Sequence, residues 1–108
     1  MATVKYEWYW REENIATITV DFSRRKVVVE NHSDEIRKLP FGDIHDVTFS
    51  MFEQRISRMV PPKGRPDIDQ ILASMGLDKY DPYWIIEKTH GRMSGNFFSI
   101  VPIERIIN

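Results

Sequence analysis

The chain has 108 residues, 42% of them hydrophobic and including three Trp, four Tyr and six Phe; that is the size and apolar content of one ordinary domain and excludes a disordered chain. No Cys is present, which excludes disulfide scaffolds, Cys-ligated zinc and thiol nucleophiles and suits a reducing cytoplasm. Fifteen Lys and Arg against sixteen Asp and Glu give a net charge of -1, so no global field draws the chain toward nucleic acid or anionic lipid.

From Val4 to Trp10 the residues Val4, Tyr6, Trp8 and Trp10 alternate with Lys5, Glu7 and Tyr9, the period of a half-buried strand. After a polar turn over Arg11 to Asn14, the β-branched run Ile15 to Phe22 predicts a second strand with Ala16, Ile18, Val20 and Phe22 on one face. Ser23 to Arg25 then leads into Lys26 to Glu30, whose three consecutive Val predict a short strand buried on both faces. Together these three runs read as an antiparallel meander. Ile36 to Leu39 reads as a short edge strand ending at Pro40, whose missing N–H stops pairing.

Beyond Gly42 the period changes. Phe49, Phe52, Ile56 and Met59 fall at helical spacing, and Ser50 with Glu53 has the form of a capping box, which predicts a helix near 48–58. Pro61, Pro62 and Gly64 make the following segment extended and helix-free. A second helix is specified by Pro66 at the first helical position, Asp67 and Asp69 in the first turn, and Ile68, Ile71, Leu72 and Met75 on one face. Gly76 ends it, with Leu77 placed to meet Leu72 as in a Schellman ending. Asp81 as N-cap, Pro82 at the first position and Tyr80 stapled onto Ile85 define a third helix, closed by Gly91. Asn96 to Val101 is a last strand that returns to the sheet before Pro102. The expected fold is therefore α+β, one domain over residues 1–108: an N-terminal antiparallel β-meander, two to three short helices and a C-terminal strand.

No apolar run approaches the roughly 20 residues that span a bilayer, and Met1 to Tyr9 lacks a basic segment followed by an apolar one, so a cytoplasmic location without membrane contact is expected. His32, His45 and His90 form no i, i+3 or i, i+4 pair, so no metal is expected. Asp43, His45 and Asp46 lie at a strand-to-helix junction where polar residues are ordinary, and His90 suits a helix C-terminus. No Ser sits in a G-x-S-x-G elbow and no Gly-rich phosphate loop exists, so neither catalysis nor a cofactor is expected. A DNA-reading helix-turn-helix is disfavoured as well. The connection from Gly76 to Asp81 is too long, and the following helix carries Tyr83, Trp84, Ile85 and Ile86 where base-reading polar residues belong.

What remains is a run of cations. Arg55, Arg58, Lys63 and Arg65 occupy eleven residues with no acid between Glu53 and Asp67, a pattern able to contact an acidic protein or phosphates. Arg92 joins them as a candidate. The bland alternative is a solvated helix end.

The succession Leu39-Pro40-Phe41-Gly42, Phe52-Glu53, Arg55, Pro61, Arg65, Ile68, Leu72, Gly76-Leu77, Tyr80-Asp81-Pro82, Ile85-Ile86, Thr89 and Gly91-Arg92-Met93 resembles an uncharacterised family of small bacterial proteins often associated with mobile elements, over roughly residues 39–100. The acidic pair and Trp that follow these signatures in that family are replaced here by Gly95, Asn96 and Ser99. The resemblance implies a host-directed binder, such as an inhibitor of a defence nuclease of the anti-CRISPR kind. The expected function is thus a non-catalytic protein-interaction module with a protein partner. The alternative is a nucleic-acid-binding regulatory protein using the same basic 55–65 segment.

Overall fold

The computed structural model describes residues 2–44, 46–92 and 97–107. Strands β1 (Ala2–Trp10), β2 (Glu13–Asp21) and β3 (Lys26–Asn31) form the expected antiparallel meander, and a C-terminal strand β4 (Phe98–Ile107) pairs antiparallel with β1, giving the order β3-β2-β1-β4. The alternation in β1 sends Val4, Tyr6 and Trp8 into the core, where they join Ile18 and Val20 of β2 and Ile100 of β4. Opposite them, Lys5, Glu7 and Tyr9 face outward; Lys5 pairs with Glu104 at 3.9 Å and the Tyr9 hydroxyl donates to Glu7 at 2.6 Å.

Two bulges shape this sheet. Trp8 pairs with Ala16 and Tyr9 with Asn14, which leaves Ile15 as an extra residue in β2. The extra residue breaks the period, so neighbouring Ile15 and Ala16 are both fully buried. In β4, Lys5 faces Glu104 and Tyr6 faces Pro102, leaving Ile103 extra. The strand therefore runs past Pro102 to Ile107 rather than stopping before it. An edge strand tolerates a residue without an N–H, because one side of its ladder has no neighbour to lose. The part of the expected strand at Asn96 lies outside the described residues.

Edge position also corrects the reading of β3. The three Val are not buried on both faces: Val27 and Val29, opposite Val20 and Ile18, turn inward, whereas Val28 is 65% exposed. Nor is Ile36 to Leu39 an edge strand. Ile36–Lys38 is a single 3-10 turn, closed by Lys38 N–H on Glu35 O at 2.9 Å and Leu39 N–H on Ile36 O at 3.1 Å. Local i+3 bonding satisfies these amides without a partner strand.

Helices α1 (Phe49–Ser57), α2 (Ile68–Ser74) and α3 (Pro82–Thr89) cover the inner face of the sheet. In α1 the apolar residues Phe49, Phe52 and Ile56 are buried as their spacing predicts, with Met59 buried just beyond the helix. The cap falls two residues earlier than expected: Thr48 Oγ1 accepts from Met51 N–H at 3.1 Å, so Ser50 and Glu53 form no capping box. Glu53 reaches Arg25 instead, at 3.4 Å. In α2, Pro66 precedes the helix rather than opening it. Asp67 at the N-cap makes no side-chain cap bond, and Arg65 Nε donates to its carboxylate at 2.6 Å. The ending is as expected: Gly76 N–H bonds Ala73 O at 3.0 Å and Leu77 N–H bonds Leu72 O at 2.9 Å, with Gly76 at φ +75°.

In α3, Asp81 Oδ1 accepts from Tyr83 N–H at 3.0 Å and Pro82 opens the helix, as read from the sequence. Its ending takes two left-handed residues, His90 at φ +54° and then Gly91 at φ +73°. No helix among the described residues is long and apolar enough to cross a membrane.

Aromatic rings tie the layers together. Tyr6 lies 5.9 Å from Phe52, Phe22 lies 5.8 Å from Phe49, and Phe52 stacks on Tyr83 at 6.3 Å. Gly91 brings the end of α3 against this core, since a Cβ there would stand 2.5 Å from Met59 Cε and 3.4 Å from Ile100 Cγ2, whereas one at Gly76 would meet nothing within 4 Å. Both glycines have positive φ, so Gly76→Ala is expected to cost about 1 kcal/mol and Gly91→Ala about 2–3 kcal/mol, read from urea unfolding midpoints. Equal losses would show that close packing at Gly91 contributes nothing.

Candidate binding surface

Arg55 leaves the last turn of α1 and is not a free surface cation. Its guanidinium lies over Trp8 at 5.2 Å and Phe98 at 4.9 Å, and its Nε donates to Pro40 O at 3.4 Å. No carboxylate pairs with it among the described residues. Burial, reinforced by the positive charge of Arg58, holds its pKa below the ordinary guanidinium value. Beside it, the fully buried Trp8 indole N–H has no hydrogen-bond partner among the described residues.

Arg58 is exposed and, with Arg55, borders a pocket of about 260 Å³ between α1 and the 40–44 segment, whose other walls are Pro40, Phe41, Ile44, Met51 and Gln54. Ile44 is 46% exposed there.

The connector after α1 begins with buried Met59, Val60 and Pro61 and then emerges, with Pro62, Lys63, Gly64, Arg65 and Pro66 all exposed. Its tip is a turn closed by Arg65 N–H on Pro62 O at 3.1 Å, followed by Ile68 N–H on Arg65 O at 3.1 Å. Its base is pinned by the Tyr80 hydroxyl, which donates to Pro61 O at 2.6 Å. Arg65 is paired with Asp67, so the acid-free stretch ends in a neutralised cation. Lys63 makes no ion pair among the described residues. Arg92 is exposed and follows Gly91, which abuts Met59, so it leaves the core beside the start of this connector.

The five candidate cations thus separate. Arg55 is packed into the structure and Arg65 is paired, whereas Arg58, Lys63 and Arg92 are presented to solvent. Asp43 and Asp46 are exposed, and His45 and Met93 lie outside the described residues. His90 caps α3 as expected. His32 instead shares a hydrogen bond with Thr17 Oγ1 at 2.8 Å. Among the described residues no group of three or more His, Asp and Glu is placed to hold a metal ion.

Two surface features have no signal in the sequence. One is a cleft of about 300 Å³ walled by Val4, Phe22, Tyr83 and Trp84, with Tyr6 at its floor and a Glu87–Arg105 ion pair at its rim. Trp84 is 51% exposed. Burial pushes the Tyr6 phenol well above its ordinary value, with Tyr83 adding to the effect; burial, then Glu53 and Asp81, push Tyr83 to about 12. The other feature is at the β1–β2 turn, where Arg11 lies over Trp10 at 5.0 Å and over Phe97 at 4.0 Å. Lys38 lies over the same Trp10 ring at 4.6 Å while bonded to Glu13 at 3.1 Å. Each feature includes a pairing of residues more than 60 positions apart, Phe22 with Tyr83 in the first and Arg11 with Phe97 in the second, which local periodicity does not reveal.

No protein-family model matches the chain, and neither the curated proteins nor the solved structures contain a match to it.

The division of the cations is testable by stability. Arg55→Ala removes a stacked, half-buried stem and is expected to lower stability by about 1–2 kcal/mol, whereas Arg58→Ala, Lys63→Ala and Arg92→Ala stay within about 0.5 kcal/mol in urea titrations. Similar losses at all four would refute the separation. The phenols supply a pH dependence. Folding raises Tyr83 from 10.0 to about 12, so above pH 10 the unfolded chain releases a proton that the folded chain keeps. This stabilisation is complete below pH 10 and is lost as pH rises toward 12. The urea midpoint should fall between about pH 10 and about pH 12, and Tyr83→Phe should make that fall shallower. An unchanged slope in the variant would contradict the assignment.

Proposed function

We propose that this chain is a non-catalytic protein-interaction module that presents the exposed turn Pro62 to Pro66, with Lys63 at its tip, to an acidic surface of another protein. The observation that carries this reading is the contrast between the turn and its base. Five consecutive residues are exposed, yet the backbone beneath them is held by the Tyr80–Pro61 hydrogen bond and the Arg65–Asp67 pair. A loop ordered in advance loses little freedom on docking, so more of its contact energy is available as affinity. The sequence resemblance to mobile-element proteins favours a host defence nuclease as that partner, in the manner of an anti-CRISPR inhibitor.

Nucleic acid is the weaker reading. Binding a duplex through phosphates draws on many cations, and of the candidate set Arg65 is paired with Asp67 and Arg55 is half-buried against Trp8 and Phe98, which leaves Arg58, Lys63 and Arg92 fully presented.

The test is capture of partners from a lysate of the source organism by the tagged wild type and by a Lys63→Glu/Arg65→Gln variant of equal thermal stability. A defined protein recovered at least about tenfold better by the wild type supports the module. Equal recovery removes the turn from the proposal, and loss of a salt-sensitive mobility shift with DNA or RNA in the same variant would favour the nucleic-acid reading instead.

A further inference from the structure

We infer that the pocket bounded by Phe41, Ile44, Met51, Arg55 and Arg58 is the anchor point of this module, and that it takes an Asp or Glu side chain with an apolar neighbour from the partner protein. The inference rests on the interaction-module reading and deepens it. At about 260 Å³ the pocket is smaller than the roughly 300–1,000 Å³ of sites for drug-sized molecules and suits one or two side chains.

Its chemistry is asymmetric. Two guanidinium groups, Arg55 and Arg58, border it, the charge of Arg58 adding to burial in disfavouring that of Arg55, and neither has a carboxylate partner among the described residues. The Arg55 head is placed by its environment: its guanidinium carbon lies over Trp8 and Phe98, and the Pro40 carbonyl accepts from its Nε. The terminal nitrogens are left for a carboxylate, which a planar fork binds with two parallel bonds. A half-buried guanidinium between aromatic rings is also where a charge-assisted bond is least screened. Of the remaining walls Pro40, Phe41, Ile44 and Met51 are apolar and Gln54 is polar, and Met adapts readily to an incoming aliphatic group. Arg and aromatic groups around one pocket match the residue types enriched in interface hot spots.

An acidic side chain removes the Arg55–Arg58 repulsion while its apolar neighbour covers Ile44. A nucleic-acid backbone fits less well, because its charges repeat along a line and its sugars give the apolar wall little to bury.

The test uses the full chain labelled with 15N and with 13C at methyl groups, titrated in NMR with acetyl-Leu-Asp-Glu-Leu-amide, with its neutral analogue acetyl-Leu-Asn-Gln-Leu-amide, and with an oligothymidylate. The expected result is a saturable shift of the Arg55 Nε–H and Met51 methyl signals by the acidic peptide, about tenfold weaker with the neutral one. Arg58→Glu, and the milder Arg58→Gln, should weaken it at least about fivefold, while Lys63→Glu leaves it unchanged. Equal shifts from both peptides, shifts confined to other residues, or tighter saturation of the same signals by the oligothymidylate each overturn the inference. In partner capture the two proposals separate. Loss with Lys63→Glu/Arg65→Gln but not with Arg58→Glu sinks the anchor and keeps the module, and retention by every variant sinks both.

Discussion

Trp8 is the residue on which the rest of the fold depends. It has no exposed surface, and it sits on the inner face of β1, between β2 and β4. Phe41 lies 6.2 Å from its ring and Arg55 lies 5.2 Å away. One large ring thus meets the sheet, the 40–44 segment and the end of α1. Burying it requires a cover, and the cover fixes where α1 ends. The connector and both presented cations of α1 and its turn follow from that placement.

The sheet is apolar on one face only, so its edges carry the adjustments. A sheet that buries one side favours alternation in its central strands; β1 keeps it from Val4 to Trp8, and β2 departs from it at one bulge. β3 and β4 are edges, where alternation is relaxed, and there the chain places an exposed Val28, a proline within the ladder and a bulge at Ile103. The bulge in β2 has the opposite use. It turns Ile15 and Ala16 both inward, adding apolar volume beneath the helices at the one place where the β1–β2 pairing is interrupted.

Charge is divided between holding the fold and facing a partner. Arg25, Arg55 and Arg105 lie over Phe49, Trp8 and Trp84 respectively, so their stems and guanidinium faces act as packing material. Arg65 is neutralised beside the α2 N-terminus. Within the 55–65 run, Lys63 at the tip of a pinned turn and Arg58 at the rim of a pocket are left outward and without an acidic partner among the described residues. An acidic, partly apolar partner surface complements both.

Much of this was legible in the sequence because it is local. The alternation of Val4 to Trp10, the 3.6-residue spacing of Phe49, Phe52 and Ile56, the Asp81-Pro82 start and the Gly76-Leu77 stop each act within one turn or one strand, so the order of letters alone determines them. The tertiary structure decided what depends on neighbours. Whether a run of three Val is central or edge, whether Pro102 ends a strand, and which of two hydroxyls caps α1 are settled by what lies alongside. The same holds for the cations: in the sequence Arg55, Arg58, Lys63 and Arg65 are equivalent, and only the rings of Trp8 and Phe98 and the carboxylate of Asp67 distinguish them. Local spacing encodes elements, whereas burial and pairing belong to residues far apart in the chain, and it is burial and pairing that turn a charge into a strut or a contact.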